Sequence, residues 1–326
     1  MERPEFSLPL VRTRQSILDA GLDDNHIRRA LASGEMVRIR RGCYTDRVQV
    51  GEKTNQPKGK EAEQASIGVG ARVAAVAARW GEEAVFSHAT AAELWGLPFL
   101  GDPPGTTHVT VPRVAHGARR ATVHQHPGLL LPEEIVALNG IRVTTLPRTL
   151  VDVARTEGFR AGVVMADHAL RETRDRAGLR RGMLASITRL KGAVGIGEAR
   201  RMLSFAVGEA ESPGETLCRV IFSEQLVPAP QLQYRLVLGT RDGGPREYRT
   251  DFAWERQKVV GEFDGKMKYE RYARRGETPG DVVFREKRRE EVIRAAGWTV
   301  VRWIWRDLDR PRELGQQLRE LLAARG

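Results

Sequence analysis

The chain has 326 residues, with 53 Lys and Arg against 42 Asp and Glu, so it carries a formal charge of +11 and is long enough for two or three cores. That surplus favours polyanionic partners and argues against an acidic, solvating chain. No apolar run approaches the ~18 residues of a membrane-spanning helix, the polar Met1-Glu-Arg-Pro4 start lacks a signal-peptide core, and Cys43 and Cys218 lie too far apart for a disulfide framework. The expectation is a cytoplasmic protein with no membrane partner.

In chain order, Thr13 to Ser16 opens a short helix through Ala20, Gly21-Leu22 makes a turn, and Asp24 to Ser33 forms a second helix with Ile27, Ala30 and Leu31 on its apolar face. Gly34 to Val37 and Arg38 to Tyr44 follow as two short strands with Gly42 at the bend. Two helices across a tight turn and a two-stranded wing predict a winged helix-turn-helix over residues 1–50. In such a module the second helix lies in the major groove of DNA and the wing meets the backbone or minor groove. Asn25, His26, Arg28 and Arg29 are therefore the candidate base or phosphate contacts, and Arg38, Arg40 and Arg41 the candidate phosphate contacts. Gly51 to Lys60 is polar and Gly/Pro-bearing, which predicts a linker over 51–60.

The block 61–204 starts with an Ala-rich helix to Trp80. A helix opened by Ser87 follows over Phe86 to Leu97, then strands over His108 to Val111, Ala121 to His126 and Ile141 to Thr144, then helices over Thr149 to Arg155 and Gly162 to Arg174. His88, near a helix start, reads as a cap, a packing residue or a phosphate contact. His124-Gln-His126 alternates along a strand, so both imidazoles share a face; the pair is read as polar surface and not as a zinc site. Leu190 to Gly197 is glycine-rich but lacks the Gly-Lys-Ser/Thr ending of a phosphate loop, and is read as a turn between helices. The block is assigned no chemistry.

The wing Arg38-Ile-Arg-Arg41-Gly42-Cys-Tyr44 and the blocks Phe86 to Leu97, His108 to Pro112 and Gly140 to Asp152 resemble the AbiEi family of antitoxins. That resemblance implies a regulator that binds DNA through its winged helix to control a toxin–antitoxin operon. It further implies a second domain linked to neutralising a cognate nucleotidyltransferase toxin.

Residues 205–326 read as helix, three strands, helix, strand, helix. Ser212 is a predicted N-cap with Glu215 at the third helical position, Gln231 to Leu238 leads through Gly239 to Pro245 into the strand holding Asp251, and Phe284 to Ala296 is a basic helix before the apolar strand Gly297 to Ile304. A last, charged helix starts at Pro311. In an extended chain alternate side chains share a face, so Glu262, Asp264 and Lys266 point one way, with Asp251 brought alongside by the neighbouring strand. Such a cluster can bind a hard divalent cation and orient a water.

Asp251-Phe-Ala-Trp254, Glu262-Phe-Asp264-Gly265, Arg285 to Arg289 and Ala296 to Arg302 resemble the PD-(D/E)XK nucleases, in particular the very-short-patch-repair mismatch endonucleases. The resemblance implies a restriction-endonuclease-like αβββαβ core that hydrolyses phosphodiesters with Mg²⁺ (or Mn²⁺). The metal would be held by Asp251, Glu262 and Glu215, or with Asp264, and Lys266 would support the attacking water. Position 264 is Asp where that pattern has Lys. Three alternatives follow: a motif shifted to Asp264-Gly-Lys266, a Lys266 that reaches back, or a site without lysine. Arg285, Lys287 and Arg288 on the basic helix are candidate DNA contacts. The structural alternative pairs Asp251 and Glu262 with Arg249 or Lys268 on a solvated sheet edge.

The expected fold class is thus α/β, α+β overall. Two functional readings stand: a metal-dependent DNA endonuclease, or a non-catalytic, antitoxin-like regulator that keeps the nuclease fold as a binding or homodimerising scaffold.

Overall fold

The computed structural model describes residues 8–46, 68–111, 117–120, 122–240, 244–265 and 279–326. It has an α/β fold that divides into two units, Met1–Phe205 and Ala206–Gly326. Lys266, Lys268 and the predicted linker lie outside the described residues.

The first unit begins with β1 (Arg12–Thr13), α1 (Arg14–Asp19), α2 (Asp24–Ser33), β2 (Met36–Arg40) and β3 (Cys43–Asp46). Thr13 caps α1 by accepting from Ser16 N, and Asp23 caps α2 by accepting from His26 N, so both helices start where their first free N–H groups find a side-chain oxygen. Ile17, Ile27, Ala30, Met36 and Tyr44 form the small core between the helix pair and the strands, which lie in the order β1-β3-β2. Gly42 turns the wing at φ 77°, a left-handed value that glycine adopts without strain. Between Arg38 and Arg40 the pairing with β3 slips, the signature of a bulge, and Ile39 turns inward with Cys43 against Ala71 and Ala75 of α3 (Val69–Trp80).

The rest of this unit is a mixed six-stranded sheet. Its strands are β4 (Val85–Phe86), β5 (Thr107–Val111), β6 (Ala118–Arg120), β7 (Val123–Pro127), β8 (Ile135–Leu138) and β9 (Ile141–Thr144), in the order β6-β7-β5-β4-β9-β8. Sequence reading anticipates β5, β7 and β9 and misses the short β4, β6 and β8, which have too few residues to show a period. The helices are α4 (His88–Leu94), α5 (Leu146–Thr156), α6 (Phe159–Glu172), α7 (Arg176–Arg189) and α8 (Ile196–Phe205). The amphipathic α5 lies at their centre, packed against α4, α6, α7 and α8.

The second unit runs α9 (Pro213–Glu224), β10 (Gln231–Thr240), β11 (Gly244–Trp254), β12 (Val259–Phe263), α10 (Pro279–Ala295), β13 (Thr299–Trp303), α11 (Trp305–Leu308) and α12 (Pro311–Ala323). Its strands lie in the order β10-β11-β12-β13; β12 and β13 run parallel and the other pairs antiparallel. One face of this sheet presents Phe252, Trp254, Val259, Phe263 and Trp303 to Cys218, Ile221 and Phe222 of α9 and to Leu314 and Leu318 of α12. The other presents Ala253, Val260 and Val300 to Ile293 of α10. The period-2 alternation along β11 and β12 sorts side chains between the two cores. Gly261 is needed on the α9 side: a Cβ there would lie 2.3 Å from the Trp303 ring.

Candidate functional site

Two charged clusters stand out, one in each unit. In the second unit, β11 pairs with β12 through Phe252↔Gly261, and extending that register by one residue sets Asp251 beside Glu262. Asp251 Oδ2 accepts a hydrogen bond from Phe263 N at 2.8 Å, which pins the carboxylate to the end of β12. The β12/β13 register places Glu262 opposite Arg302, and Glu262 is gripped by two guanidiniums: Oε1 lies 2.6 Å from Arg289 Nη1 and Oε2 3.0 Å from Arg302 Nε. Arg302 also contacts Glu290 at 2.5 Å, and Arg289 contacts Glu286 at 3.3 Å and donates to Arg249 O. Burial lowers the affinity of Arg302 for its proton, but Glu262 and Glu290 outweigh burial and hold its pKa above the ordinary value. Arg249, an alternative partner for these acids, pairs with Glu211 at 2.7 Å instead.

Glu215 lies on α9. It is buried at the start of α9, where Oε1 accepts from Ser212 Oγ and Oε2 accepts from Glu211 N and Gln233 Nε2, each at 2.8 Å. Ser212 Oγ in turn accepts from Glu215 N, so Ser212 caps the helix start. Three donors thus converge on the Glu215 carboxylate, the residue to which the resemblance assigns a metal-ligand role. Asp264 follows β12, its N–H donating to Trp303 O at 2.9 Å. Among the described residues the four carboxylates form no group of three with ligand atoms within 4.8 Å.

Around this cluster α10 begins five residues earlier than its sequence pattern suggests, at Pro279. Lys287 and Arg288 are exposed, with Arg288 over the Phe284 ring at 5.8 Å, whereas Arg285 is half-buried. In the first unit Asn25, Arg28 and Arg29 are exposed on α2 and His26 is half-buried. Arg28 donates to Asn25 Oδ1 at 2.6 Å, and Arg14 pairs with Asp24 at 2.6 Å. Arg38 and Arg41 are exposed on the wing, but the bulge tucks Arg40 inward, where its Nη1 is buried against a small cleft lined by Ile39, Arg72 and Val76. Burial, then the nearby Arg79 and Arg120, lowers the Arg40 pKa.

The second cluster is one that sequence reading missed. β5 and β7 run parallel with His108 opposite His124 and Thr110 opposite His126. His108 and His126 are buried, His124 is half-buried, and His88, at the start of α4, is buried and stacked on His126 with ring centroids 3.6 Å apart. The polar-surface reading of His124 and His126 is thereby corrected, and of its readings His88 takes the packing one: α4 lies against this sheet and stacks His88 on His126. His126 Nε2 and His108 Nδ1 share one hydrogen bond at 3.1 Å. His88 holds a left-handed φ of 52°, its Nδ1 2.9 Å from Ser87 Oγ and its Nε2 3.9 Å from Asp152 Oδ1. Asp152 is fully buried and receives Arg148 Nε at 2.8 Å and Arg155 Nη1 at 3.0 Å, while Arg148 Nη1 reaches Glu134 at 2.9 Å. Burial first, and the neighbouring imidazoles and arginines second, push His108 down to about 4 and His126 down to about 2, and push His88 well below its ordinary value. The buried imidazoles are neutral at pH 7.

No protein-family model matches the chain. A solved structure, that of the RV2827C protein from Mycobacterium tuberculosis, is 14% identical with a TM-score of 0.35, covering 61% of this chain and 77% of that one, a likeness too slight to bear on fold or function. Two proteins from strains of Mycobacterium tuberculosis, Uncharacterized protein MT2308 and Uncharacterized protein Rv2248, are each 31% identical over 235 residues, which span 71% of this chain and 78% of theirs. The chain therefore belongs to the family of MT2308 and Rv2248.

Proposed function

We propose that this is a cytoplasmic DNA-binding protein whose second unit is a metal-dependent endodeoxyribonuclease. The observation that carries the reading is the placement of Asp251 beside Glu262 on neighbouring inner strands, with Asp264 next along the chain and the basic helix α10 over that face. Mg²⁺ and Mn²⁺ take hard oxygen ligands, and Mg²⁺ commonly uses one or two carboxylates together with water and substrate phosphate. Asp251 and Glu262, with Glu215 or Asp264, fit that demand. Bound there, the ion would polarise the scissile phosphate and lower the pKa of an attacking water. The chain's own part is electrostatic. Lys287 and Arg288 present cations to backbone phosphates, while Arg289 and Arg302 orient Glu262 and neutralise it until substrate arrives. The exposed Arg28, Arg29, Arg38 and Arg41 supply DNA affinity from the first unit.

Purified protein incubated with plasmid and Mg²⁺ should nick or linearise it, and Asp251→Ala should abolish the cleavage. Equal traces in both proteins would end the nuclease reading. A second reading, a non-catalytic regulator of the antitoxin type with a nucleotidyltransferase partner, is favoured by one observation: both oxygens of Glu262 are held by guanidiniums. Under that reading DNA binding persists without cleavage. Under either reading Arg38→Ala with Arg41→Ala weakens DNA binding and reduces the slope of log K against log salt by about 2, one counterion for each lost phosphate contact. Unchanged affinity and slope would remove the wing from the interface.

A further inference from the structure

The histidine cluster of the first unit has no part in that function, and its geometry is that of a ligand set. His108, His124 and His126 each offer a ring nitrogen, and the three nitrogens lie within 4.8 Å of one another, the only such group among the described residues. Metal–nitrogen bonds of about 2.0–2.1 Å place neighbouring ligands of a tetrahedral ion ~3.3 Å apart. The 3.1 Å separation of His126 Nε2 and His108 Nδ1 already matches that spacing. Two of the rings are buried and the strands that carry them are register-locked neighbours, so the set is positioned by the sheet and not by a mobile loop.

We propose that His108, His124 and His126 bind a single borderline divalent cation, zinc foremost, through three imidazoles, with the fourth position open on the half-buried His124 side. Imidazole suits zinc, copper and nickel, whereas the absence of a carboxylate from the trio disfavours magnesium and calcium. On binding, the hydrogen now shared between His126 and His108 moves to the far nitrogen of its own ring, His126 Nδ1 or His108 Nε2. Both facing lone pairs then reach the metal, and no net proton is released. His88 acts as a positioning residue: stacked on His126 and near Asp152, it fixes the His126 ring plane. Three imidazoles with an open fourth position are the arrangement of catalytic zinc sites, so the ion could take an anionic or carbonyl-bearing ligand. The proposal is independent of the nuclease reading, because its residues lie in the other unit.

The test uses the full chain, stripped with chelator and titrated with Zn²⁺ and with Co²⁺. One equivalent of Co²⁺ should give the intense visible bands of tetrahedral coordination, without thiolate charge transfer because Cys43 and Cys218 lie outside the trio, and Zn²⁺ should displace it. His124→Ala, the least buried ligand, should weaken Zn²⁺ by about 100-fold or more. Asp251→Ala and His168→Ala should leave the affinity unchanged, while His88→Ala should weaken binding by ~10-fold. A pale octahedral Co²⁺ spectrum would overturn the proposal. So would wild-type affinity in His124→Ala, or loss of the bound equivalent in Asp251→Ala. If His124→Ala loses its fold by circular dichroism, His124→Gln replaces it with the same expectation.

Discussion

The Arg148–Glu134–Asp152 network of the first unit and the Arg289–Glu262–Arg302 clamp of the second use the same pairing, guanidinium to carboxylate, at different depths. Asp152, Glu134 and Arg148 have side chains exposed by 0%, 3% and 4%, whereas Glu262, Arg289 and Arg302 are exposed by 12%, 18% and 36%. A fully buried charge has no water to fall back on, so each member is committed to its partners. The clamp is different: its guanidiniums have further carboxylates in Glu286 and Glu290 and a solvent side. The first network is sealed from solvent, and the second keeps a solvent side.

That contrast can be broken at the buried end first. Asp152→Ala strands Arg148 and Arg155 beside His88, and should destabilise the first unit by about 3–5 kcal/mol; a shift in its calorimetric transition near the size of a surface mutant's would refute the distinction. Acid should expose the same asymmetry. His88, His108 and His126 are neutral in the native first unit, facing His124, Asp152, Arg148, Arg155 and Arg119. Their folded pKa values are depressed, so the unfolded chain binds more protons once pH falls below about 6.5. Stability is full above that pH and is lost progressively toward pH 4, where His108 titrates. Metal-free protein followed by chemical denaturation should show this loss in the first unit, and added Zn²⁺ should raise the stability of the first unit at pH 7.

In the second unit the largest effect should come from the apolar layer and not from the clamp. Gly261→Ala drives a methyl into the Trp303 ring and should cost about 1–3 kcal/mol by overpacking. Tryptophan fluorescence would follow it, since Trp254, Trp298, Trp303 and Trp305 all lie in that unit. Glu262→Gln should be the mildest, about 1 kcal/mol or less, while removing any metal-dependent cleavage. A loss comparable to that of Asp152→Ala would show that the clamp is structural too.

Local signals carried much of this molecule. Ser212 announces its helix start because a side-chain oxygen satisfies an N–H group three residues away, and it caps the helix as expected; Thr13 and Asp23 cap theirs in the same way. The order of elements in the second unit followed from period and turn chemistry. The signal for the histidine trio was half present: His124 and His126 alternate, but His108 joins them only through the parallel pairing of β5 with β7, sixteen residues away in register. Nothing local encodes that pairing. Likewise Gln233 reaches the Glu215 carboxylate only through the fold. The sequence by itself determined the kind and order of the longer helices and strands, because those depend on neighbours within a few residues. Tertiary structure alone decided which charges are buried, which are clamped and which imidazoles meet, because burial and strand pairing depend on partners that are distant along the chain.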